Sequence, residues 1–493
     1  MRSKTPSFIT EIPLKVNQDQ ERTLLVRLDT ARQMYNAVLG EALRRLDLVR
    51  DSAIYKEAKK LPRLIKDKPN PERKAKFQAA REQSEFKEYS LHAYAGQIKQ
   101  SWLGDHLDIN TVQKIASRAF KAVSDYAFGK QGKPRFKGKG QFDSIEGKSN
   151  KQGVLWRNGA VCWSGLELQA IIDQSDPVIM HGLQSTIKYV RIVRRKFWDH
   201  NRFFVQLICE GLPYPKPQNP IGVGVVGLDI GPSTIAIVSE QTAELKTFCD
   251  KLVKRKKYIR RLQRKMDRSR RATNPDNYNE NGTVKKGKRK WNKSNRYQKV
   301  RVQKAESERK QAAHRKSLHG ELVNEVISLG NTVKLEKLSY KAFQKMFGRS
   351  VAFRAPGMFV QLLRNKAVNA GCTTVEFDPR PTRLSQTCVC GAIEKKPLSQ
   401  RWHDCDCGVL VQRDIFSAWL ACHIEDGRLN AGAVITDWPN VENRLRTALG
   451  VKQLASGKVR PAHDLDRQSE SYAFSDLYVG ESHSAVSYDK AFT

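Results

Sequence analysis

Residues 225–238, with the sequence VVGLDIGPSTIAIV, constrain the fold more than any other stretch of the chain. Most of these residues are β-branched or aliphatic, which is typical of a buried strand, yet the run contains one carboxylate, Asp229. An aspartate at the end of a strand can simply cap the turn that follows, here GPST. Alternatively, Asp229 is a metal-binding carboxylate held on a sheet, in which case it needs partners from elsewhere in the chain.

The charge balance indicates the kind of partner that the chain binds. Its 493 residues include 88 Lys and Arg but only 51 Asp and Glu, which gives a formal net charge of +37. Surfaces that only need to be soluble usually mix both signs, so this excess favours a polyanion, and nucleic acid above all. The length exceeds that of one ordinary core and predicts two or three domains.

Targeting signals and cysteine usage predict the compartment. No apolar run approaches the ~20 residues of a membrane span, and the N-terminal MRSKTPSFITEIPLKV lacks the apolar core of a secretory signal. The chain therefore has no expected membrane partner.

Nine cysteines are an odd number, and four of them cluster between Cys388 and Cys407, which favours a metal site in a reducing compartment over a disulfide scaffold. We expect a cytoplasmic protein.

The first half of the chain alternates between strand and helix patterns. An N-terminal strand precedes helical periodicity from residue 21, and strand character returns after residue 150, with a hairpin that turns near residues 198–201. This order predicts a small β-barrel interrupted by a helical module. The proline-rich PYPKPQNP at residues 213–220 predicts a domain boundary.

The second half predicts an α/β domain, because apolar strands alternate with helices after the opening strand. A long helix is expected to stop at Gly330 before the strand that ends at Glu336, and the next helix and strand repeat this order. From Asp464 onward the chain has six acids and only two basic residues, so a flexible tail is expected.

Residues 251–316 form a strongly basic segment with 26 Lys or Arg and five acids. Its ends have helical patterns, whereas its middle is rich in Asn and Gly and is expected to be a loop. A charge run is often only a solvated helix face. This one also contains Tyr258, Tyr278, Trp291 and Tyr297, a combination that suits both phosphate neutralisation and base stacking, so we expect it to contact nucleic acid.

Three acids occur in similar apolar surroundings: Asp229, Glu336 and Asp414, where the last one starts an apolar helix. Carboxylates that share a pocket repel one another unless a cation neutralises them. Two Mg²⁺ ions about 4 Å apart are a common solution in enzymes that hydrolyse phosphodiesters. Oxygen ligands of this kind suit Mg²⁺, so the three acids are candidate magnesium ligands.

Four cysteines form two CxC pairs, Cys388 with Cys390 and Cys405 with Cys407, and each pair is followed by a glycine. Four thiolates from two tight turns predict a structural Zn²⁺ site, and the glycines suit turns that need a positive φ. His403 could replace one thiolate. The alternative is a set of thiols without metal.

The order of the three acids, with the cysteine pairs between the second and the third, resembles the RuvC variant of the RNase H-like nuclease fold. The region from Gly224 to Ala421 is similar to insertion-sequence TnpB proteins, the family from which type V CRISPR effectors derive. The motifs that carry this resemblance are GLDIG, RRATNPDNY, LEKLSY, TRLSQTCVCG and CDCGVLVQRDIFSA. With the less specific N-terminal half included, it extends over most of the chain.

The resemblance implies a multidomain α+β architecture. A wedge-like β-barrel would comprise residues 1–20 and 150–215, and a helical recognition module residues 21–149. The RuvC nuclease domain would comprise residues 216–384 and 409–424, with a zinc knuckle inserted at residues 385–408. Residues 425–493 would be the flexible C-terminal tail.

The resemblance also implies a function, which is RNA-guided cleavage of DNA beside a short flanking motif. Asp229, Glu336 and Asp414 would be the catalytic acids and would hold Mg²⁺. The expected partners are a guide RNA and double-stranded target DNA, with one protein chain for each RNA and a dimer left open.

Two departures and three alternatives accompany this expectation. The family usually has Asn two residues after the last Asp, where this chain has Phe416, and it usually has CxxC where this chain has CVC and CDC. A compact type V CRISPR effector would share all the motifs. The second alternative is a guided DNA-binding protein that does not cleave DNA. Loss of any one of the three acids would favour it, but all three are present. A DDE-type transposase also uses three acids on this fold, but the cysteine knuckle disfavours it.

Overall fold

The computed structural model describes residues 5–198, 200–397, 400–448, 452–453 and 459–460. The chain divides into two compact units, Met1–Pro215 and Lys216–Thr493. Within the described residues, every helix is too short or too polar to cross a lipid bilayer.

The first unit contains both strands and helices. Its strands are β1 (Ser7–Pro13), β2 (Leu64–Ile65), β3 (Lys68–Pro69), β4 (Ser144–Glu146), β5 (Leu155–Arg157), β6 (Ala160–Trp163), β7 (Leu166–Gln169), β8 (Ile187–Lys196) and β9 (Asn201–Glu210). Its helices are α1 (Gln18–Asp51), α2 (Ala53–Lys60), α3 (Pro71–Gln83), α4 (Glu88–Lys99), α5 (Ile109–Ala127) and α6 (Pro177–Gln184).

Antiparallel sheets form the β part of this unit. One sheet has the strand order β1-β9-β8-β4 and another has the order β5-β6-β7. A bridge between Leu14 and Ala170 joins the end of β1 to the end of β7. The pairing of β8 with β9 confirms the predicted hairpin. These pairings define two linked sheets, and closure into a barrel stays a prediction.

The helical module and the sheets share one hydrophobic core. Helix α1 begins with a capping box, in which Asn17 and Gln20 satisfy each other's backbone amides, and its apolar residues recur at three and four positions. Ile12 of β1, Val38 of α1 and Val205 of β9 are all fully buried in the same cluster. The fold of one part therefore depends on the other.

One predicted boundary in this unit is wrong. Residues 144–146 were expected in the helical module, which was predicted to extend to residue 149, but they form β4 and pair with β8. Ile145 lies opposite Ile192, and both side chains are buried. The strand has only three residues, which is too short for an alternating pattern to stand out in the sequence.

The second unit is an α/β layer structure. Its strands are β10 (Val225–Ile230), β11 (Thr234–Val238), β12 (Ala243–Thr247), β13 (Thr332–Glu336), β14 (Thr373–Phe377), β15 (Trp402–Asp404), β16 (Leu410–Gln412), β17 (Ile424–Glu425), β18 (Arg428–Leu429), β19 (Lys452–Gln453) and β20 (Val459–Arg460). Its helices are α7 (Lys256–Thr273), α8 (Asn295–Leu329), α9 (Tyr340–Arg354), α10 (Pro356–Ala370), α11 (Pro379–Thr382), α12 (Arg413–Cys422) and α13 (Ala431–Thr447).

A five-stranded sheet with the order β12-β11-β10-β13-β14 lies at the centre of the second unit. Strands β12, β11 and β10 pair antiparallel, whereas β13 and β14 run parallel to β10. Alternate residues of each strand point to opposite faces. Val226, Leu228 and Leu335 belong to a core with α8 and α10. The opposite face of the sheet packs against α12.

Helix α12 approaches β10 closely at Gly227. A Cβ atom at this position would lie 1.9 Å from the carbonyl oxygen of Ala418 and 2.8 Å from Sγ of Cys422. No side chain larger than hydrogen fits between this strand and this helix. Gly227 therefore sets the distance at which α12 crosses the sheet.

The expectation of a flexible tail from residue 425 is wrong for its first part. Residues 431–447 form α13, whose side chains Val434, Val441 and Leu445 are buried in the core that contains Trp419 of α12. These three residues recur at helical spacing and face one direction, so burial stabilises the helix. The acidic residues from Asp464 onward lie outside the described residues.

We predict that Gly227→Ala destabilises the second unit by at least about 2 kcal/mol, because the added methyl group must push α12 away from β10. Gly320→Ala is the matched control, since Gly320 lies within α8 and a Cβ there would meet nothing within 4 Å. Alanine at position 320 should leave the free energy of unfolding unchanged from wild type or raise it by up to about 1 kcal/mol. Urea denaturation measures both effects, and equal midpoints for Gly227→Ala and wild type would contradict the packing described.

Candidate metal and nuclease site

Asp229 and Glu336 lie side by side on the sheet face that packs against α12. Strand β10 pairs with β13 in a register that places Leu228 opposite Leu335, so Asp229 and Glu336 are the next positions of the two parallel strands. Leu228 and Leu335 point into the core on the other face. By alternation, both acids point toward α12.

Asp414 reaches the same place from the first turn of α12. Ala418, one turn later on the same helix face, contacts Gly227, and Gly227 lies two residues before Asp229 on the same strand face. The contact between Ala418 and Gly227 therefore brings Asp414 near Asp229. The side chain of Gln412 caps this end of α12 by accepting a hydrogen bond from the amide of Ile415 at 2.7 Å.

Asp229 lies within reach of the negative charges of both other acids. Burial raises the pKa of Asp229 well above its ordinary value, and the negative charges of Asp414 and Glu336 raise it further. Burial also raises the pKa of Glu336 to about 7. Without a cation, burial therefore favours the protonated form of Asp229 and Glu336 more than for an exposed acid.

Two arginines approach the acids, and the sequence interpretation did not identify either of them. Nη1 of Arg401 lies 3.9 Å from Oδ2 of Asp414, and Nε of Arg413 lies 3.6 Å from Oδ1. The side chain of Arg413 is mostly buried, whereas that of Arg401 is 61% exposed. Arg413 adjoins Asp414 in the sequence and could have been found, but no local pattern distinguishes Arg401 from other surface arginines.

The three acids do not form one compact cluster of ligand atoms. Within the described residues, the only group of three or more His, Cys, Asp or Glu whose ligand atoms all lie within 4.8 Å consists of cysteines. The carboxylate oxygens of Asp229, Glu336 and Asp414 are thus spread more widely.

Further contacts hold α12 in place at its far end. Nζ of Lys334, which lies two residues before Glu336 on β13, donates to the carbonyl oxygens of Cys422 at 2.9 Å and Ile424 at 2.7 Å. Nε1 of Trp419 donates to Asp437 of α13 at 2.9 Å. These contacts fix the helix that carries Asp414, and only the tertiary structure reveals them.

The four cysteines of the two CxC pairs converge. Their sulfur atoms all lie within 4.8 Å of one another, with Cys388 3.5 Å from Cys407 and Cys390 3.7 Å from Cys405. A tetrahedral site with Zn–S bonds of about 2.3 Å has sulfurs about 3.8 Å apart. The thiols therefore fit a tetrathiolate metal site without rearrangement of the backbone.

Two equivalent turns present these thiols. The amides of Gly391 and Gly408 donate to the carbonyls of Cys388 at 3.0 Å and Cys405 at 2.9 Å, respectively. Their φ angles are 86° and 89°, which confirms the predicted role of glycine in the knuckle turns.

His403 lies outside the set of converging thiols, so its predicted role as a replacement ligand is not supported. Its ring is buried and stacks on Phe416 with the ring centroids 4.5 Å apart. Burial lowers the pKa of His403 to about 4. Phe416, which stands where the family usually has Asn, is a core residue that also packs against Trp419 at 5.5 Å.

The basic segment folds as predicted, with helix α7, a loop and the start of α8. Two of its aromatic rings are used within the segment, since Tyr278 and Trp291 pack edge to face at 5.8 Å. Arg271 and Arg270 lie over these rings at 5.1 Å each. These rings therefore stabilise the loop, while Tyr258 on α7 is 39% exposed.

Comparison with known proteins identifies the region around the cysteines. Residues 357–420 match the family model of the Cas12f1-like TNB domain. This segment runs from α10 through both cysteine pairs into α12, and it includes Asp414. The match confirms the resemblance to compact type V CRISPR effectors and TnpB proteins that the motifs indicated.

Two solved structures are also similar to the chain at low sequence identity. The protein of a Cas12f1–sgRNA–target DNA complex is 13% identical, with 84% of this chain and 98% of that chain covered and a TM-score of 0.37. The protein of a CRISPR-Cas12f ternary complex is also 13% identical, with 85% and 99% covered and a TM-score of 0.26. No curated protein matches the sequence.

We predict that the buried Glu336 makes the metal-free protein less stable as the pH rises. Because its folded pKa is about 7 and its ordinary value is 4.5, the folded state binds more protons than the unfolded state between these values. The contribution of Glu336 to the free energy of unfolding is fully present below pH 4.5 and is lost as the pH rises past 7. In excess chelator, the free energy of unfolding of Glu336→Gln relative to that of wild type should therefore rise by about 1–3 kcal/mol when the pH is raised from 5 to 8.

Urea denaturation at both pH values measures this difference. Glu240→Gln, at an exposed position in the same unit, is the matched control and should track wild type. A constant difference between Glu336→Gln and wild type at both pH values would contradict the raised pKa.

Proposed function

We propose that this protein is an RNA-guided DNA endonuclease of the TnpB and compact type V kind, with its active site at Asp229, Glu336 and Asp414. The observation that carries the proposal is the convergence of three acids on one sheet face in a chain with a net charge of +37. Polyanion binding alone needs no carboxylates there. Acids within a basic protein serve a purpose when divalent cations bridge them to phosphate.

Each residue has a distinct part in the proposed hydrolysis. Two bound Mg²⁺ ions would supply the Lewis acidity that phosphodiester hydrolysis needs. Asp229 and Glu336 would hold them from the rigid sheet, and Asp414 would complete the set from α12. The largely exposed Arg401 is suited to bind the phosphate, because its guanidinium lies near Asp414 and still has access to solvent.

The sheet order supports an RNase H-like, RuvC-type domain in the second unit. Three antiparallel strands followed by two parallel ones, with helices on both faces, agree with that expectation. In the proposed division of labour, the first unit and the basic α7–α8 segment hold the guide RNA and its heteroduplex with target DNA. Proteins of this kind read the shape of the heteroduplex through its backbone.

We also propose a structural Zn²⁺ at Cys388, Cys390, Cys405 and Cys407. Four thiolates leave no open position for substrate, so the metal would act on the fold. It would fix the β15–β16 hairpin, whose second strand leads directly into α12 and Asp414. The zinc site would thereby position the third catalytic acid.

The second candidate is a guided DNA-binding protein that does not cut. Phe416 stands where the family usually has Asn, but all three acids are present, so we expect activity to survive this departure. The origin of the RNA is a separate question, and sequencing of RNA that copurifies with the protein answers it. RNA from a CRISPR repeat indicates a CRISPR effector, and RNA from a transposon end indicates TnpB. Cytoplasmic location stays a prediction.

We predict that Asp229→Ala, Glu336→Ala and Asp414→Ala each lower the rate of DNA cleavage by about three orders of magnitude or more, because each removes a ligand of the metal pair. Guided DNA binding should stay within about threefold of wild type, since phosphate contacts lie mainly outside the pocket. The assay uses the copurified RNA, matching DNA and Mg²⁺, and Asp250→Ala, at an exposed acid of the same unit, is the matched control.

Three results would each contradict the nuclease assignment. They are near-wild-type cleavage by one of the acid variants, equal cleavage of matched and unmatched DNA, and full activity in excess chelator. Ca²⁺ should support binding with little cleavage, because its looser coordination positions the reacting groups poorly.

We predict that replacing Cys388 and Cys390 together with serine lowers the bound zinc from about one ion per chain to near zero. Loss of the metal should also lower the melting temperature of the second unit, because the metal would tie the two knuckle turns together. Elemental analysis of the purified protein measures the zinc, and Cys162→Ser, at a thiol of the first unit, is the control. A wild-type protein purified without zinc would sink this assignment.

A further inference from the structure

The first unit contains a cavity that the proposed nuclease chemistry does not use. It has a volume of about 450 Å³ and opens between α1, α2, α3 and the end of α5. Its floor is apolar, with Leu46, Val49 and Phe86 buried in the core. A cavity of this size accommodates one small planar group together with its substituents.

Aromatic rings line the cavity. Tyr55 and Phe77 meet edge to face, with their centroids 5.1 Å apart at an interplanar angle of 62°. Phe128, directly after α5, also lines the cavity, and its side chain is 60% exposed. The ring of Phe128 is therefore accessible to a group that enters the cavity.

Cations surround the rings, and no acid lines the cavity. Arg73 and Arg81 lie over the rings of Phe77 and Phe128, with distances of 5.1 Å and 5.8 Å to the centroids. Within the described residues, Arg63, Arg73, Lys74 and Arg81 all lack a carboxylate oxygen within 4 Å. Among the described residues, these positive charges therefore have no carboxylate in direct contact.

We propose that this cavity binds an unpaired nucleotide of the RNA partner, with the base against the aromatic rings and the adjoining phosphates on the surrounding Lys and Arg. Aromatic rings together with arginines are the usual means by which proteins hold unstacked bases. Folded RNA offers such bases in loops and bulges. A second copy of this chain is a poor occupant, because it would bring a further +37 charge to a surface without acids.

The proposal rests on the proposed RNA partner, and the experiment separates the two. The probe is a 12-nucleotide single-stranded oligouridylate that carries one central 2-aminopurine and is titrated with the purified full-length protein. Because uridine stacks poorly, the free probe is bright, and stacking of its base on a protein ring quenches the emission. Anisotropy of an end label on the same probe reports binding independently of quenching.

At saturation, wild-type protein should quench the emission severalfold, and Phe128→Ala should restore most of it. Tyr89→Ala is the matched control, since Tyr89 is 83% exposed in the same unit but lies outside the cavity, and it should quench like wild type. Lys74→Gln should weaken binding severalfold and reduce its salt dependence. Thermal melting should show that the Phe128→Ala variant remains folded, as expected for an exposed side chain.

Normal anisotropy without quenching by wild type, or equal quenching by wild type and Phe128→Ala, would overturn the pocket while leaving the RNA partner intact. Equal quenching by the probe annealed to its complement would also overturn it, because a paired base cannot enter. Loss of self-association in the Phe128→Ala variant, with no change in quenching, would assign the cavity to a contact between protein copies instead. Failure of wild type to bind the probe at all would count against the proposed RNA partner itself.

Discussion

The candidate site depends on the close contact between helix α12 and strand β10. Gly227 leaves no space for a side chain beneath the carbonyl of Ala418, so the helix lies directly on the strand. Asp229 and Asp414 are each a short, fixed step from this contact, two residues along the strand and one turn along the helix. Lys334 anchors the opposite end of α12 through two carbonyl oxygens. Precise placement of the acids is thus a consequence of backbone packing rather than of loop geometry.

The electrostatic cost of this arrangement supports the proposal that the three acids form a functional site. Burial and mutual repulsion oppose ionisation of Asp229, and burial alone raises the pKa of Glu336 to about 7. A protein that only binds polyanions gains nothing from such a set. Divalent cations would remove the cost, and the cysteine knuckle would hold the strand that leads into α12. Both proposed metal sites would then act on α12. The magnesium site would bind Asp414 of this helix, and the zinc site would hold β16, which leads into it.

Some elements could be predicted from local pattern, and others could not. The β8–β9 hairpin, the stop of α8 at Gly330 and the positive φ of the knuckle glycines follow from alternation, helix periodicity and turn chemistry. Strand β4 is too short to show a pattern, and α13 was hidden by its position in a tail that becomes acidic further on. Arg401 had no local signal either, because it lies in a loop thirteen residues before Asp414 and meets it only through the fold.

The sequence by itself determined the composition of the sites: three acids in apolar surroundings, two CxC pairs followed by glycine, and a large excess of positive charge. It also carried the resemblance that the match over residues 357–420 confirms. Only the tertiary structure decided that Asp229 and Glu336 share one face and that α12 crosses this face at Gly227. It alone also showed that residues from α1, α2 and α3 line one cavity together with Phe128. The physical reason is that side-chain type and local periodicity are written along the chain, whereas strand register and helix approach depend on packing between residues far apart in it.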